Sequence, residues 1–456
     1  MFKCRLGSGV SKAEPFWTRH PGIRSSCWTG FGSSASEIAM PWDATAYVAP
    51  GPCRFARAPP FINACSTLSR STHLKCSPGS SACRRRRIND CVMIEAGRVE
   101  YETGTQIKYA EYLNHPSYGM AKRVVPFNDN GRDMYYSLDV YTCNNFGPAR
   151  TVVVPIMPVG VGLTGEFFAR LIGCYIAKQR QKQDFPVDFL VPDLMGCGDS
   201  FAAESQPWTV EDWARQIQHV VETQVETQGA KVILLTQGAS FGVGLLAAKY
   251  LQNSSKKADG LLVSNPPPSV YSIAPRGALA RKLTWAILSG PIGSLLFSSL
   301  FGKRSFLFSF SAKNLFSQER NVDAEWLDPL VAEVTQNPKS RYAVFSFLSG
   351  FWERDYRPMM KELTSTSVWI AAPAEGAKLI GSSTTNTLLR RNMKKSTEKE
   401  TVQQRTRFYE ELFPRLFAST RVFANSNVLP FECAEGISEM IADYARLLHL
   451  RSDSVT

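Results

Sequence analysis

One short stretch combines a serine with the glycine spacing that nucleophilic chemistry needs. The sequence GASFG, residues 238–242, follows an apolar run at 232–235 and precedes small and apolar residues with helical spacing. A G-x-S-x-G turn between a strand and a helix bends the backbone sharply and lifts the serine hydroxyl above the sheet. The pattern predicts Ser240 as a candidate nucleophile. The alternative is that the glycines serve close strand–helix packing and the serine is incidental.

A serine nucleophile also needs donors for the developing oxyanion and an acid that orients its base. The amide of Phe241 is the expected first donor, and Val159, in the loop after the strand TVVVPIM, is the expected second donor. The candidate acid is Glu375, which stands at the end of the strand SVWIAAPAE. A solvated loop carboxylate is the alternative for Glu375.

No histidine occupies the place where a general base is expected. That place is the loop after the last strand, ANSNVLPFECAEG, which contains no histidine. The five histidines of the chain are His20, His73, His115, His219 and His449. His219 lies on the helix before the turn and His449 near the end of the last helix, so both are expected to be packing or surface residues. Without a base, a serine hydroxyl is a weak nucleophile at neutral pH.

A second glycine-rich loop raises a rival function. Residues 160–165 read G-x-G-x-x-G between a strand and a helix, which in a dinucleotide-binding fold seats a pyrophosphate on the helix N-terminus. Asp193, at the end of the next strand, could bind a ribose. In a serine hydrolase a loop must also lie opposite the G-x-S-x-G turn. The glycine-rich sequence suits that loop equally well, so no cofactor is predicted. No C-x-x-C pair occurs beyond residue 90, and no metal site is predicted.

The charge of the chain is concentrated in its first segment. The formal net charge is +12, but residues 1–89 carry 13 Lys and Arg against 3 Asp and Glu. The remaining residues carry 39 against 37, so a nucleic-acid-binding surface is not predicted. A long segment rich in Ser, Arg and Pro is typical of an organelle transit peptide. We expect import into a plastid, with a mitochondrion or a simple basic tail as the alternatives.

Strand and helix patterns alternate along the rest of the chain, which predicts a parallel sheet with both faces covered. Residues 98–113 alternate as edge strands, and residues 270–360 are helical and apolar. We expect a transit region at 1–92, a core in two parts at 93–269 and 364–456, and a helical cap at 270–363 inserted after strand six. A charged helical insertion is expected near 386–416.

The uncharged run from Leu283 to Gly302 has the length of a membrane span. It also contains four serines, three glycines and one proline. The interpretation favoured here is a pair of cap helices broken at Gly290-Pro291. Peripheral contact with a membrane stays open as an alternative.

Several stretches together resemble a plastid and cyanobacterial group of α/β-hydrolase-like proteins. They are PVGVGLTGEFFARL, PDLMGCGDS, DWARQIQHVV, QGASFG, FLSGFWERDY and NSNVLPFE. The resemblance spans roughly residues 145–445 and implies the α/β-hydrolase fold. Aligned on Pro430, the place of the histidine falls to Asn427, whose amide cannot act as a base. Members of the group also lack the histidine. Many of them have an apolar residue at the position of Ser240, whereas this chain has the serine.

Three functional hypotheses follow. The first is a catalytically incomplete scaffold, or pseudoenzyme, that binds an apolar small molecule or a protein partner under the cap. The second is a serine esterase or lipase-like hydrolase that acts on acyl substrates through Ser240. The third is a dinucleotide-dependent oxidoreductase. The missing base favours the first hypothesis, and the sequence leaves the oligomeric state open.

Overall fold

A computed structural model describes residue 113 and residues 118–453 of the chain. Within that range it leaves out 130, 145–149, 180–185, 201–205, 228, 270–274, 375–399 and 425–426. The expected transit region at 1–92 lies outside the described residues. The expected edge strands at 98–113, apart from residue 113, and the first half of the 386–416 insertion also lie outside them.

An eight-stranded sheet forms the centre of the described structure. Its strands are β1 (Tyr118–Asp129), β2 (Arg132–Cys143), β3 (Thr151–Ile156), β4 (Val187–Pro192), β5 (Lys231–Gln237), β6 (Gly260–Ser264), β7 (Ser367–Pro373) and β8 (Phe417–Phe423). The strand order is β1-β2-β4-β3-β5-β6-β7-β8. The pairs β1–β2 and β2–β4 are antiparallel, and all the others are parallel. The prediction of a mostly parallel sheet of about eight strands is confirmed.

The central strands are apolar because helices cover both faces of the sheet. Every residue of β3, β4, β6 and β7 is buried, as is every residue of β5 after Lys231. A strand that is covered on both faces loses the alternation of apolar and polar residues. The continuous apolar runs of the sequence therefore indicated the correct strands.

Strand β1 is a feature that the sequence analysis missed. It lies at one edge of the sheet and pairs with β2 along its whole length of 12 residues. The turn between them contains Gly131 with a φ of +81°. The Asn-Gly pair at 130–131 is a strong hairpin signal in the sequence. Pro126 is exposed in the middle of this edge strand.

Twelve α-helices surround the sheet in the described residues. They are α1 (Ala169–Gln179), α2 (Val210–Gln224), α3 (Phe241–Leu251), α4 (Ala278–Ser289), α5 (Pro291–Leu296), α6 (Arg304–Phe310), α7 (Ala324–Gln336), α8 (Arg341–Leu348), α9 (Arg357–Glu362), α10 (Val402–Leu412), α11 (Leu429–Glu432) and α12 (Ala434–Asp453). Helices α1 and α12 pack together, as do α2 and α3. Thr209 is the N-cap of α2, and its hydroxyl accepts a hydrogen bond of 3.2 Å from the amide of Asp212.

Helices α4 to α9 lie between β6 and β7 in the chain and form the β6–β7 helical region (residues 275–363). The expected break at Gly290-Pro291 is present, because α4 ends at Ser289 and α5 begins at Pro291. Among the described residues, no single helix has both the length and the apolar character to cross a membrane. The pair Ala278–Ser289 and Pro291–Phe301 satisfies that test only when taken together, and it is bent by 60°.

Candidate functional site

In the turn after β5, the residue with a positive φ is Gly238 and not Ser240. Gly238 follows the last residue of the strand directly and has a φ of +58°. Ser240 has helical backbone angles, with a φ of −66° and a ψ of −6°. A nucleophile elbow holds its reactive residue in the strained backbone conformation at the crest of the turn. In this chain the crest belongs to a glycine, and a Cβ added at Gly238 would meet no atom within 4 Å.

The hydroxyl of Ser240 is turned into the protein. Its Oγ donates to the carbonyl of Ile156 at 2.9 Å, with the carbonyl of Gln237 as a second acceptor at 2.9 Å. It also accepts the amide proton of Gln237 at 2.9 Å. Ser240 is 4% exposed. The expectation that this hydroxyl stands above the sheet is therefore corrected: it joins the end of β5 to the end of β3.

Four polar side chains fill the space beside the turn and form what we call the amide cluster: Gln237, Ser264, Asn265 and Asn427. All four are buried. Gln237 accepts from the Ser264 hydroxyl at 2.7 Å and donates to the backbone carbonyl of Asn427. Asn265 donates to Asn427 Oδ1 at 3.0 Å and to the Asn427 carbonyl at 3.2 Å. The cluster joins β5, β6 and the loop after β8.

Asn427 lies in the loop after β8, where the sequence analysis placed the missing base. Besides its contacts with Asn265, its Nδ2 donates to the carbonyl of Asn314 at 2.7 Å. Its own backbone amide donates to the carbonyl of Leu315 at 3.1 Å. A carboxamide has no titration near neutral pH, so this side chain can fix neighbouring groups but cannot take a proton from a hydroxyl.

The two histidines that the structure describes have other partners. His219 Nδ1 lies 3.0 Å from the hydroxyl of Tyr136, and its ring packs on Phe127. His449 is buried, with Nε2 at 3.1 Å from the hydroxyl of Thr151. Burial lowers the pKa of His219. The remaining histidines, at 20, 73 and 115, lie outside the described residues.

The other predicted site residues are only partly brought together. Glu375 lies outside the described residues. The amide of Phe241 donates to the carbonyls of Gly238 and Ala239, so the first turn of the helix uses it. The ring of Phe241 is fully buried against Tyr356 and Tyr409. Val159 is buried in the loop after β3.

The glycine-rich loop at 160–165 is covered by helix α7. Gly162 has a φ of +73°, and a Cβ at this position would lie 2.3 Å from the carbonyl oxygen of Leu330. In a dinucleotide-binding fold these glycines leave room for a pyrophosphate. Here the backbone of α7 takes that room. The loop therefore serves packing between the sheet and the β6–β7 helical region.

A buried carboxyl, Asp193, and a half-buried one, Glu333, lie beside this loop and form what we call the carboxylate cluster. Asp193 accepts from the amides of Gly165 at 2.7 Å and Asp199 at 3.1 Å. Glu333 of α7 accepts from the amide of Gly198 at 3.1 Å. Burial raises the pKa of Asp193 to about 6 against the opposing effect of its amide donors. Burial, followed by repulsion from Asp193, raises the pKa of Glu333 to about 7.

The carboxylate of Asp193 therefore holds two loops together through hydrogen bonds and does not point into a cavity. A Cβ at Gly198 would lie 2.3 Å from its carboxylate, so the loop wraps closely around it. In the described part of the chain, no group of three or more His, Cys, Asp or Glu side chains could hold a metal ion.

Sequence reasoning missed Gly238 at the turn and four residues of these clusters: Gln237, Ser264, Asn265 and Glu333. The signal for Gly238 was present, because it directly follows the last strand residue and glycine tolerates a positive φ. Asn265 has a φ of 45°, which asparagine tolerates better than most residues do. Nothing in the local sequence indicates that Gln237 meets Asn427 or that Glu333 meets Gly198, since these partners are distant in the chain.

No protein-family model matches the chain, and no curated protein matches it. Solved structures do resemble it. The peroxisomal alpha-beta-hydrolase Lpx1 from Saccharomyces cerevisiae has a TM-score of 0.46 and 11% identity, covering 72% of this chain and 90% of that one. A proline iminopeptidase from Mycobacterium smegmatis has a TM-score of 0.43 and 15% identity, with 73% and 100% covered.

A variant of the haloalkane dehalogenase DatA from Agrobacterium tumefaciens C58 has a TM-score of 0.44 and 12% identity, with 72% and 98% covered. These similar proteins are named for different reactions, and a fold does not by itself specify a reaction. The strand order β1-β2-β4-β3-β5-β6-β7-β8, with β2 antiparallel to its neighbours and all other pairs parallel, is the arrangement of the α/β-hydrolase fold. The chain has the α/β-hydrolase fold.

Proposed function

We propose that this protein is a non-catalytic binding scaffold built on the α/β-hydrolase fold, with an apolar ligand or a protein partner as its occupant. The proposal rests on two residues taken together: Gly238 at the crest of the turn and Asn427 in the loop after β8. A residue without a side chain holds the crest of the turn. In the place of the base lies a carboxamide whose oxygen accepts from Asn265 and whose nitrogen donates to the carbonyl of Asn314.

Ser240 supports this proposal by its environment. Its hydroxyl proton points to carbonyl oxygens, which do not deprotonate it, and the amide cluster offers no imidazole or carboxylate. Loss of triad members typically lowers turnover by about 10⁴-fold to 10⁶-fold. A serine esterase acting through Ser240 is the alternative that remains, and it requires the turn to rearrange.

Covalent labelling separates the two functions. The full-length protein would be treated with a fluorophosphonate probe beside a Ser240→Ala variant and an active serine hydrolase as the positive control. We expect the positive control to be labelled and both forms of this protein to stay unlabelled. Labelling of the unmodified protein that disappears in Ser240→Ala would overturn the proposal and establish a serine hydrolase.

The proposed location is a plastid, and it rests on the composition of residues 1–92 alone. A fluorescent protein fused after residue 92 tests it in plant cells. Fluorescence in plastids is the expected result. Fluorescence in mitochondria or throughout the cytosol would contradict it.

A further inference from the structure

Helices α4 and α5 present an apolar surface to solvent. On α4, Leu279, Leu283 and Ile287 are 81%, 60% and 51% exposed. On α5, Ile292 and Leu295 are 61% and 67% exposed. Eight of the 15 exposed large apolar side chains in the described residues lie between 279 and 310. An apolar cluster of this kind marks an interaction site more often than it occurs by chance on a soluble surface.

The spacing of these residues makes the surface continuous along each helix. Positions 279, 283 and 287 repeat every four residues, and positions 292 and 295 are three apart, so each set lies on one side of its helix. The opposite side of α4 carries Trp285, which packs on Tyr342 and Phe351. The outward side therefore remains apolar without taking part in the core. We call the outward sides of α4 and α5 the apolar face.

The two halves of the apolar face are held at a fixed angle. The helix pair is bent by 60° at Gly290. Gly293 lies so close to the end of α4 that an added Cβ would be 1.7 Å from the carbonyl oxygen of Leu288. Any larger residue at 293 would force the helices apart. The close contact at Gly293 therefore fixes the orientation of α4 relative to α5, and the two helices form one surface.

The chain segment that carries the apolar face contains basic residues and no acidic ones. No Asp or Glu occurs between Asp259 and Glu319. Lys282, Lys303 and Lys313 are exposed in this stretch, and none of them forms an ion pair with a described residue. Two other cations of the stretch are paired, Arg276 with Glu353 and Arg304 with Asp328 of α7. The face therefore combines apolar side chains with free cations and has no carboxylate of its own.

We propose that the apolar face docks on the surface of an anionic lipid bilayer. Apolar helix sides flanked by lysines enter the boundary between headgroups and acyl chains, and the cations add attraction to anionic lipid. The helical segments Ala278–Ser289 and Pro291–Phe301 have 12 and 11 residues, whereas a span needs about 20, so they lie along the surface. This docking does not depend on whether Ser240 reacts.

Vesicle co-sedimentation of the full-length protein tests this docking. The lipids would be phosphatidylcholine alone and phosphatidylcholine with 30% phosphatidylglycerol. We expect binding to the anionic vesicles that weakens as salt is raised, and little binding to the neutral ones. The variant Leu283→Ser/Leu295→Ser should lower the partition coefficient about tenfold or more, because each leucine loses its apolar contact.

The matched control is Val124→Ser/Val422→Ser, which changes two apolar residues that are 70% and 57% exposed on edge strands. It should bind as the unmodified protein does. Circular dichroism should show that both variants fold, since all four positions are exposed. Lys282→Gln/Lys303→Gln should reduce binding to anionic vesicles only.

Two results would overturn the docking proposal. One is equal sedimentation of the control and the apolar-face variant. The other is a stable dimer in light scattering that Leu283→Ser/Leu295→Ser dissociates, with no vesicle binding by the monomer or dimer. The second result would assign the apolar face to another copy of this chain.

Discussion

The amide cluster and the carboxylate cluster both lie at the ends of strands of one sheet, but their chemistry is opposite. The amide cluster adjoins the turn that carries the catalytic motif and holds only neutral side chains. The carboxylate cluster adjoins a loop without that motif and holds two carboxyl groups with raised pKa values. The motif and the groups that titrate near neutral pH are therefore separated in this molecule.

This separation shows that a shifted pKa indicates a buried group and does not by itself indicate a catalytic one. The carboxyl of Asp193 is surrounded by backbone amides, and Glu333 ties α7 to the loop at Gly198. Structural networks shift pKa values as active sites do. In contrast, the amide cluster sits where an active site is expected and offers no proton acceptor. Mutations in the two clusters should therefore have different consequences.

The largest effect is expected from Gly162→Ala, beside the carboxylate cluster. The new Cβ would meet the Leu330 backbone at 2.3 Å, and the φ of +73° adds strain. Together these should lower the free energy of unfolding by about 3 to 5 kcal/mol. Gly238→Ala is the matched control, because its φ of +58° brings similar strain and its Cβ has open space. It should cost about 1 kcal/mol. Urea denaturation measures both, and equal losses would contradict the contact at Leu330.

The next effect is expected from Asn427→Ala, which opens the amide cluster. Asn265 loses its acceptor on the side chain of Asn427, and the Asn314 carbonyl loses its donor. Buried polar groups left without partners should cost about 2 to 4 kcal/mol in total.

The control for Asn427→Ala is Gln218→Ala, which removes a half-buried amide that donates to Glu222 on the same helix. Its change should stay within about 0.5 kcal/mol. Urea denaturation of the two variants side by side gives the comparison. A loss below about 1 kcal/mol for Asn427→Ala would mean that the cluster contributes little to folding.

The smallest effect is expected from Glu333→Gln and depends on pH. The folded pKa of about 7 lies above the ordinary value of 4.5, so the folded chain binds a proton that the unfolded chain releases. Stability from this group is thus present below pH 4.5 and is lost as pH rises to about 7. Glutamine keeps the acceptor for Gly198 without the charge.

The Glu333→Gln variant should therefore match the unmodified protein at pH 5. At pH 8 it should be more stable by at most about 1 kcal/mol, since solvent screens a partly buried carboxyl. Thermal unfolding at both pH values measures the difference. Glu362→Gln, which alters an exposed ion pair with Lys249, is the control and should show no such dependence. A Glu333→Gln variant that is less stable at pH 8 would contradict the raised pKa.

Sequence patterns predicted the sheet well because strand burial is a local signal. The runs that became β3 to β7 are apolar at nearly every position, which only covered strands require. Strand β1 was missed because its exposed face is mixed and it contains Pro126. Its only clear signal was the Asn-Gly pair of the hairpin turn.

The site was predicted less well because its geometry depends on a shift of two residues along the chain. The motif placed the reactive position at Ser240, while the strand ends at Gln237 and the positive φ falls on Gly238. Asn427 was expected in the right loop, but its contact with Asn265 joins residues 162 positions apart. Such contacts follow from tertiary packing and are not encoded in spacing.

Pro126 on the outer strand has a consequence for how the molecule behaves in concentrated solution. A free strand edge is a template on which another chain can extend the ladder, and this is a route to fibres. Proline offers no amide proton there, and the neighbouring Lys122 and Arg123 are engaged by Asp199 and Glu226. The β1 edge of the sheet is therefore a poorer template for a second molecule, and self-assembly through this edge should be disfavoured when the protein is crowded.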